Sequence, residues 1–113
     1  MIELYAERAY QFRAIGDPTR LAILELLGQG ALCACQLQAK LGIAANLLSH
    51  HLKILREAGL VRTEKTGRWV EYRLDPISLL QLHAAIPQLK HKSEKHSSGL
   101  FQLTLNNLST GAL

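Results

Sequence analysis

The stretch that decides the fold is residues 41–60, which read LGIAANLLSHHLKILREAGL. Leu48, Leu52 and Leu55 recur at helical spacing, so this stretch predicts an amphipathic helix whose leucine stripe faces the core. Gly59 follows at the position where helices commonly end. Polar side chains occupy another face, which suits either a solvated surface or contact with base edges and phosphates of DNA: Asn46, Ser49, His50 and Lys53.

The residues before this helix predict a second, shorter helix. Residues 33–41, CACQLQAKL, are apolar on one side through Leu37 and Leu41, and Gly42 interrupts the pattern. A short helix, a glycine-containing turn and a longer amphipathic helix together form a helix-turn-helix. This context favours DNA contact over simple solvation for the polar face of the longer helix. His51, beside that face, is predicted to be partly buried support.

The residues after Gly59 predict a β-hairpin. Residues 61–66 (VRTEKT) and 69–74 (WVEYRL) alternate in polarity as strands do, and a Gly-Arg pair separates them. A basic-tipped hairpin after a recognition helix is a wing, so its tip is expected to reach phosphates or the minor groove. Trp69 and Tyr72 are expected to pack in the core or across the hairpin. The candidate wing contacts are Lys65, Thr66, Gly67 and Arg68.

Further helices flank this central unit. Asp17 followed by Pro18, and Asp75 followed by Pro76, each pair a helix cap with a first-turn proline. The helix after Asp17 is expected to bury Leu21, Leu24 and Leu27. Residues 2–15 predict an earlier helix with an apolar stripe formed by Leu4, Ala9, Phe12 and Ile15.

The last predicted helix carries more apolar surface than a small domain can cover by itself. Its apolar face is assigned to Ile77, Leu80 and Ala84, with Leu89 as a further candidate. Pairing with a second copy, together with the first helix, accounts for this surface and predicts a symmetric homodimer. The expected fold is therefore mainly α with a small β-hairpin wing (α+β), a winged helix-turn-helix that dimerises through its first and last helices.

Length and hydropathy predict one domain. With 113 residues, the chain is assigned a domain over residues 1–92 and a poorly ordered tail over residues 93–113. No apolar run approaches the roughly 20 residues of a membrane span. The N-terminus does not resemble a signal peptide. We therefore expect a cytoplasmic protein without a membrane partner.

The charge distribution favours a polyanionic partner. The chain has 13 basic and 9 acidic residues, for a net charge of +4, and six of the basic residues lie between Lys53 and Arg73. Double-stranded DNA is the partner that this bias and the helix-turn-helix predict together. The sequence does not predict an enzyme, because it has no phosphate-binding glycine loop and no Ser-His-Asp set.

Three motifs in this order resemble the ArsR/SmtB family of metal-responsive winged-helix repressors: IGDPTRLAILELL, LCACQL and LLSHHLKILREAGLVRTEKTGRWVEYRL. The resemblance covers roughly residues 12–86. It implies a homodimeric repressor that occupies a promoter palindrome until a metal or metalloid ion weakens its hold. Ser49 and His50 match the DNA-contacting positions of the family, and Asn46 lies at a neighbouring one. Ala44 and Ala45 replace the Ser-Gln pair that members often have.

The two cysteines, Cys33 and Cys35, are the candidate ion ligands. Thiolates prefer soft ions, and arsenite with a third ligand from solution is the favoured inducer. Cadmium, lead or zinc, helped by Glu3, Glu7 or a histidine, is an alternative. No ion is expected to be needed for folding. The resemblance places a third cysteine of arsenite-responsive members at Gln38.

The spacing of the cysteines leaves their geometry open. Residues two apart in a regular helix point about 200° from each other, so sharing one ion requires a distorted first turn or outside ligands. Oxidation is a further alternative to ion binding. Because the two thiols are expected to point apart, a disulfide is expected to join two subunits rather than to form within one chain.

Overall fold

Five helices and three strands follow one another in a computed structural model that describes residues 2–86. Met1 and residues 87–92 of the predicted domain, together with the predicted tail, 93–113, lie outside the described residues. The elements are α1 Ile2–Ile15, α2 Pro18–Leu27, β1 Leu32–Cys33, α3 Ala34–Leu41, α4 Ala45–Glu57, β2 Val61–Thr66, β3 Trp69–Leu74 and α5 Pro76–Ala84. This order confirms the predicted winged helix-turn-helix. Within residues 2–86, no helix is long and apolar enough to cross a membrane.

The predicted aspartate caps are both present. Asp17 accepts hydrogen bonds from the backbone N–H groups of Thr19, at 2.9 Å, and Arg20, at 3.1 Å. Asp75 accepts one from the N–H of Ser78 at 3.0 Å. The bond from Arg20 lowers the pKa of Asp17, and the bond from Ser78 lowers the pKa of Asp75. Each carboxylate therefore fixes the start of the helix that follows it.

The wing belongs to a three-stranded antiparallel sheet in the order β1-β3-β2. Strands β2 and β3 pair from Val61 opposite Leu74 to Thr66 opposite Trp69, as the alternation predicted. Gly67 has a φ of +63° in the two-residue turn, a conformation that favours glycine. Strand β1 was not predicted, because its two residues give no periodic signal. Leu32 pairs with Tyr72, and Cys33 with Glu71.

Helix α4 lies at the centre of the core. Its stripe of Leu48, Leu52 and Leu55 is buried as predicted, and Leu55 is fully enclosed. The stripe packs with Ile23 of α2 and Leu37 of α3. Since α4 also contacts α1 and β2, the predicted recognition helix is fixed by the elements around it.

Three apolar side chains of α1 and α2 are more exposed than predicted: Ala9, Phe12 and Leu21. Among the described side chains of α1, Gln11 and Ala14 are buried and Ile15 packs against the core as predicted, whereas Phe12 is 36% exposed. Gln11 is buried because its Nε2 donates to the Ala58 carbonyl oxygen at 3.1 Å, so a polar residue joins α1 to the end of α4. Leu21 is 53% exposed. Trp69 is 64% exposed and is paired with Thr66 across the hairpin, so of its two predicted positions the core is excluded. The Leu4 side chain lies outside the described part of the chain.

Candidate DNA interface and cysteine pair

A left-handed glycine turns the chain between the two helices of the motif. Gly42 has a φ of +66°, and its N–H donates to the Gln38 carbonyl oxygen at 2.8 Å, which ends α3. Ala44 then precedes α4 without a side-chain cap, as expected from an alanine at this position. The turn sets α3 against α4. The polar side chains of α4 can therefore face outward while its leucines pack inward.

All four candidate DNA-reading residues of α4 are exposed: Asn46, Ser49, His50 and Lys53. Ser49 and Lys53 line an open groove of about 720 Å³ between α4 and the first part of β2. Arg56 and Arg62 also line it, two cations that the sequence analysis did not single out. The sequence could have indicated both arginines, because Arg56 follows Lys53 by three positions on α4 and Arg62 is the second residue of β2. The groove thus presents three cations, three hydroxyls (Ser49, Thr63 and Tyr72) and one carboxylate, Glu57, whose Oε1 lies 4.0 Å from Lys53 Nζ.

The wing residues divide between the two faces of the hairpin. Lys65 lies on the same face as Thr63 and Tyr72, which line the groove, because alternate strand residues share a face. Thr66 lies on the other face, where its hydroxyl donates to Glu71 Oε1 at 3.1 Å. Gly67 and Arg68 form the tip between the strands. Within residues 2–86, Thr66 is the one predicted wing residue that is hydrogen-bonded to a carboxylate.

His51 connects the recognition helix to the start of α2. It is 7% exposed, and its Nδ1 lies 3.0 Å from Arg20 Nη1 and 3.9 Å from Asp17 Oδ2. A guanidinium only donates, so Nδ1 is the acceptor and the imidazole is neutral. Burial lowers the pKa of His51, which favours the same neutral form. The Arg20 Nε also donates to the Ala14 carbonyl oxygen, so this network joins α1, α2 and α4.

Cys33 lies outside the helix, so the expectation that the thiols point apart is wrong. Cys33 is the extended N-cap residue of α3: its Sγ accepts from the Gln36 N–H at 3.4 Å, and its own N–H donates to Gln36 Oε1 at 2.9 Å. Cys35 lies in the first turn of α3. Because an N-cap residue does not follow helical geometry, the two Sγ atoms approach to 2.8 Å.

The two thiols differ in acidity. The hydrogen bond with Cys35 lowers the pKa of Cys33, and the backbone N–H of Gln36 lowers it further. The same thiol–thiol bond raises the pKa of Cys35. Cys33 is therefore the first of the pair to become a thiolate. Among residues 2–86 of a single chain, no three metal-ligating side chains are gathered at one point. In the present arrangement, therefore, neither Glu3, Glu7, the described histidines nor any other described carboxylate completes the pair, and a third protein ligand would have to move to it.

Comparisons with known proteins give the family. The sequence profile described as "Bacterial regulatory protein, arsR family" matches residues 17–63. An HTH-type transcriptional regulator of Methanocaldococcus jannaschii is 44% identical over 72 residues, which cover 63% of this chain and 81% of that protein. The chain belongs to the ArsR family. ArsR-family proteins are DNA-binding transcriptional regulators, which confirms that this chain is not an enzyme.

Two further ArsR-family similarities bear on function. The arsenical resistance operon repressor of Escherichia coli K12 is 46% identical over 66 residues, which cover 58% of this chain and 56% of that repressor. The solution structure of a homodimeric winged helix-turn-helix DNA-binding domain from Mycobacterium bovis, a possible ArsR-family regulator, has a TM-score of 0.65. The two sequences are 26% identical, and the structural match covers 80% of this chain and 91% of the Mycobacterium bovis domain.

Proposed function

We propose that this ArsR-family regulator is a homodimeric repressor that releases its operator when a thiophilic ion binds Cys33 and Cys35. Arsenite is the favoured ion, and cadmium, lead and zinc are alternatives. The observation that carries the proposal is the 2.8 Å separation of the two sulfurs at the start of α3, the first helix of the helix-turn-helix. The similarity to the arsenical resistance operon repressor supports arsenite.

The proposed DNA contacts are the exposed face of α4 and the wing tip. Asn46, Ser49, His50 and Lys53 are assigned to the major groove. Lys65, Gly67 and Arg68 are assigned to the flanking phosphates. Thr66 contributes a further contact when its hydroxyl is released from Glu71. The groove between α4 and β2 supports this orientation, because its three cations outnumber its one carboxylate, Glu57, and a net positive surface attracts a phosphate backbone.

The proposed dimer uses the exposed apolar faces of α1 and α5. These two helices contact each other, and Tyr5 of α1 is 61% exposed, Ile77 67% and Leu80 68%. Large apolar side chains clustered on adjoining helices mark an interaction surface. The homodimeric domain from Mycobacterium bovis supports a second copy as the occupant. A dimer would place its recognition helices on half-sites about 34–36 Å apart.

The thiol pair has the chemistry that a soft ion requires. Two sulfurs around a tetrahedral zinc ion with bonds of about 2.3 Å lie roughly 3.8 Å apart, so a small opening of the pair admits one ion. The lowered pKa of Cys33 supplies a thiolate readily. Cys33 also caps α3, so an ion that moves its sulfur acts directly on the first helix of the DNA-binding motif.

The experiment uses the full-length reduced chain and an operator selected by that chain from a random duplex library. Arsenite is titrated into the complex while DNA release and protection of the thiols from alkylation are followed together. We expect release to track protection at one ion per protomer, and Cys35→Ser to abolish both. Release without thiol protection would assign the effect to another site, and protection without release would contradict the repressor mechanism.

Oxidation is a second candidate signal, favoured by the same sulfur separation. The close approach makes an intrachain disulfide the expected product, in place of the intersubunit one that helical geometry suggested. Hydrogen peroxide would accept two electrons from the two thiols, forming one S–S bond and two waters. Mass spectrometry after mild peroxide should show a loss of 2 Da per chain, because each of the two thiols gives up one hydrogen atom to the waters that form. A crosslinked dimer on a non-reducing gel would instead support the intersubunit bond.

A further inference from the structure

The outer face of the sheet brings a carboxylate beside the cysteine pair. Leu32 and Tyr72 are paired, and both pack against the core. The next pair, Cys33 and Glu71, therefore points to the opposite face, because successive strand residues alternate. Side chains directly paired across antiparallel strands have Cβ atoms about 4.5–5.5 Å apart. The register thus places Glu71 next to Cys33, although the two residues are far apart in sequence.

Glu71 also contacts the wing tip. Its Oε1 accepts the hydrogen bond from Thr66 Oγ1 at 3.1 Å. Thr66 is the last residue of β2, directly before the Gly67 turn, and pairs with Trp69. The half-buried Glu71 side chain therefore lies between the cysteine pair on one side and the wing tip on the other.

We propose that a divalent thiophilic cation on Cys33 and Cys35 recruits Glu71 as its third protein ligand and takes the carboxylate away from Thr66. This inference rests on the proposed ion site and assigns it a ligand and a route to the wing. Rotation between staggered side-chain torsions moves the carboxylate from one neighbour to the other while the β1–β3 pairing stays intact.

The donor set distinguishes divalent cations from arsenite. Zinc binds carboxylate oxygen at about 2.0–2.2 Å as well as thiolate sulfur, and one carboxylate with two thiolates gives such a cation three anionic donors. Trivalent arsenic in the proposed site takes its third ligand from solution, so its binding is independent of Glu71. The carboxylate therefore acts as a specificity determinant for divalent cations.

Recruitment changes the wing. Thr66 loses its acceptor and Glu71 loses its free negative charge, so the wing tip is altered at the position next to Gly67 and Arg68. Trp69 is the single tryptophan of the chain and is 64% exposed beside Thr66. Its fluorescence reports the state of the wing independently of DNA binding.

The test titrates the full-length reduced chain with Cd²⁺ alone and records the ultraviolet cadmium–thiolate band together with Trp69 fluorescence. Glu71→Gln keeps an acceptor for Thr66 and removes the anionic donor. We expect it to weaken Cd²⁺ binding by about tenfold or more, the range found when supporting carboxylates are lost, and to abolish the fluorescence change. Arsenite binding should stay within about twofold of wild type.

Glu64→Gln is the matched control. Glu64 lies directly opposite Glu71 on the same face of the hairpin but one strand farther from Cys33. Glu64→Gln removes one negative charge from the same face as Glu71→Gln does, and it should change Cd²⁺ affinity by no more than about twofold. Thr66→Val releases Glu71 from its hydrogen bond and should tighten Cd²⁺ binding by roughly two- to tenfold.

The outcomes separate the two proposals. If the wild type gives no cadmium–thiolate band, the ion site itself is wrong, and the role of Glu71 falls with it. If the band forms but Glu71→Gln binds Cd²⁺ like the wild type, the ion site stands and Glu71 is not a ligand. If Glu64→Gln and Glu71→Gln weakened Cd²⁺ binding equally, the loss would be explained by surface charge alone, and the assignment of Glu71 as a ligand would be overturned. Circular dichroism establishes that each variant is folded.

Discussion

Replacing Cys33 separates its structural role from its role as a thiol. Its Sγ accepts one N–H bond at the start of α3, and Cys33→Ala removes that bond while the bond between the residue 33 N–H and Gln36 remains. Loss of one N-cap lowers the melting temperature of a domain of this size by roughly 4–8 °C. The 3.4 Å length of the sulfur bond places the expected effect near the lower limit, about 4 °C.

Cys33→Ser is expected to melt at or above the wild-type temperature, because a serine hydroxyl is a preferred N-cap. Cys35 is the second residue of α3 and does not cap the helix. Cys35→Ala therefore removes a thiol but no cap, and the variant should melt within about 2 °C of wild type. Thermal unfolding is followed by circular dichroism at one fixed protomer concentration, since dimerisation makes the midpoint concentration-dependent. All three variants should lose ion binding. Equal melting temperatures for Cys33→Ala and Cys33→Ser would refute the capping role.

Three further predictions concern the core, the buried histidine and the DNA-facing helix. Leu55→Ala removes a fully buried side chain and should lower the free energy of unfolding by about 2–5 kcal/mol in urea; a loss below about 1 kcal/mol would place the core elsewhere. Burial lowers the pKa of His51 in the folded protein, whereas the imidazole of the unfolded chain titrates near pH 6.5. The contribution of neutral His51 to the free energy of unfolding should therefore be complete above about pH 6.5 and decrease as the pH falls toward the folded pKa. His51→Asn should reduce this decrease in urea titrations at several pH values, and an identical pH dependence in both proteins would contradict the assignment. Lys53→Ala should reduce the slope of log affinity against log salt by about 1, measured by anisotropy on the selected operator. Arg13→Ala, on α1 and outside the groove, should leave that slope unchanged, and equal losses for the two variants would remove Lys53 from the interface.

The central part of the fold could be predicted from local pattern. The bounds of α4 and of the two wing strands follow from periodic leucines and from alternation broken by a Gly-Arg pair. The Asp17 and Asp75 caps were also predictable, because each stands directly before a proline at the start of a helix. These signals are local in the chain, so no partner element was needed to read them.

The features missed by sequence analysis depend on contacts between distant residues. Strand β1 exists because Leu32 and Cys33 pair with β3, and two residues carry no period of their own. That pairing extends Cys33 and takes it out of helical geometry, which is why the predicted divergence of the thiols was wrong. The inner face of α1 carries Gln11 and not the predicted Phe12, because the Ala58 carbonyl oxygen at the end of α4 accepts a hydrogen bond from the Gln11 side chain. None of these partners is near in sequence.

The candidate site was predictable as a set of residues but not as an arrangement. The exposed polar face of α4 was assigned from helical spacing, and the structure places Ser49 and Lys53 together on one groove. The division of Lys65 and Thr66 between opposite hairpin faces follows from strand register, which the sequence also contained. The bond from Thr66 to Glu71 was not predictable, since it depends on the side-chain torsions of an exposed residue and a half-buried one.

The most direct measurement compares the operator dissociation constant of the reduced full-length chain with and without one equivalent of arsenite per protomer. A coupling of the usual size predicts that affinity falls by about 5- to 150-fold, and that Cys33→Ser, which keeps the cap, shows no fall. An unchanged dissociation constant with arsenite bound to both thiols, or an equal fall in Cys33→Ser, would contradict the proposal that the cysteine pair controls DNA release.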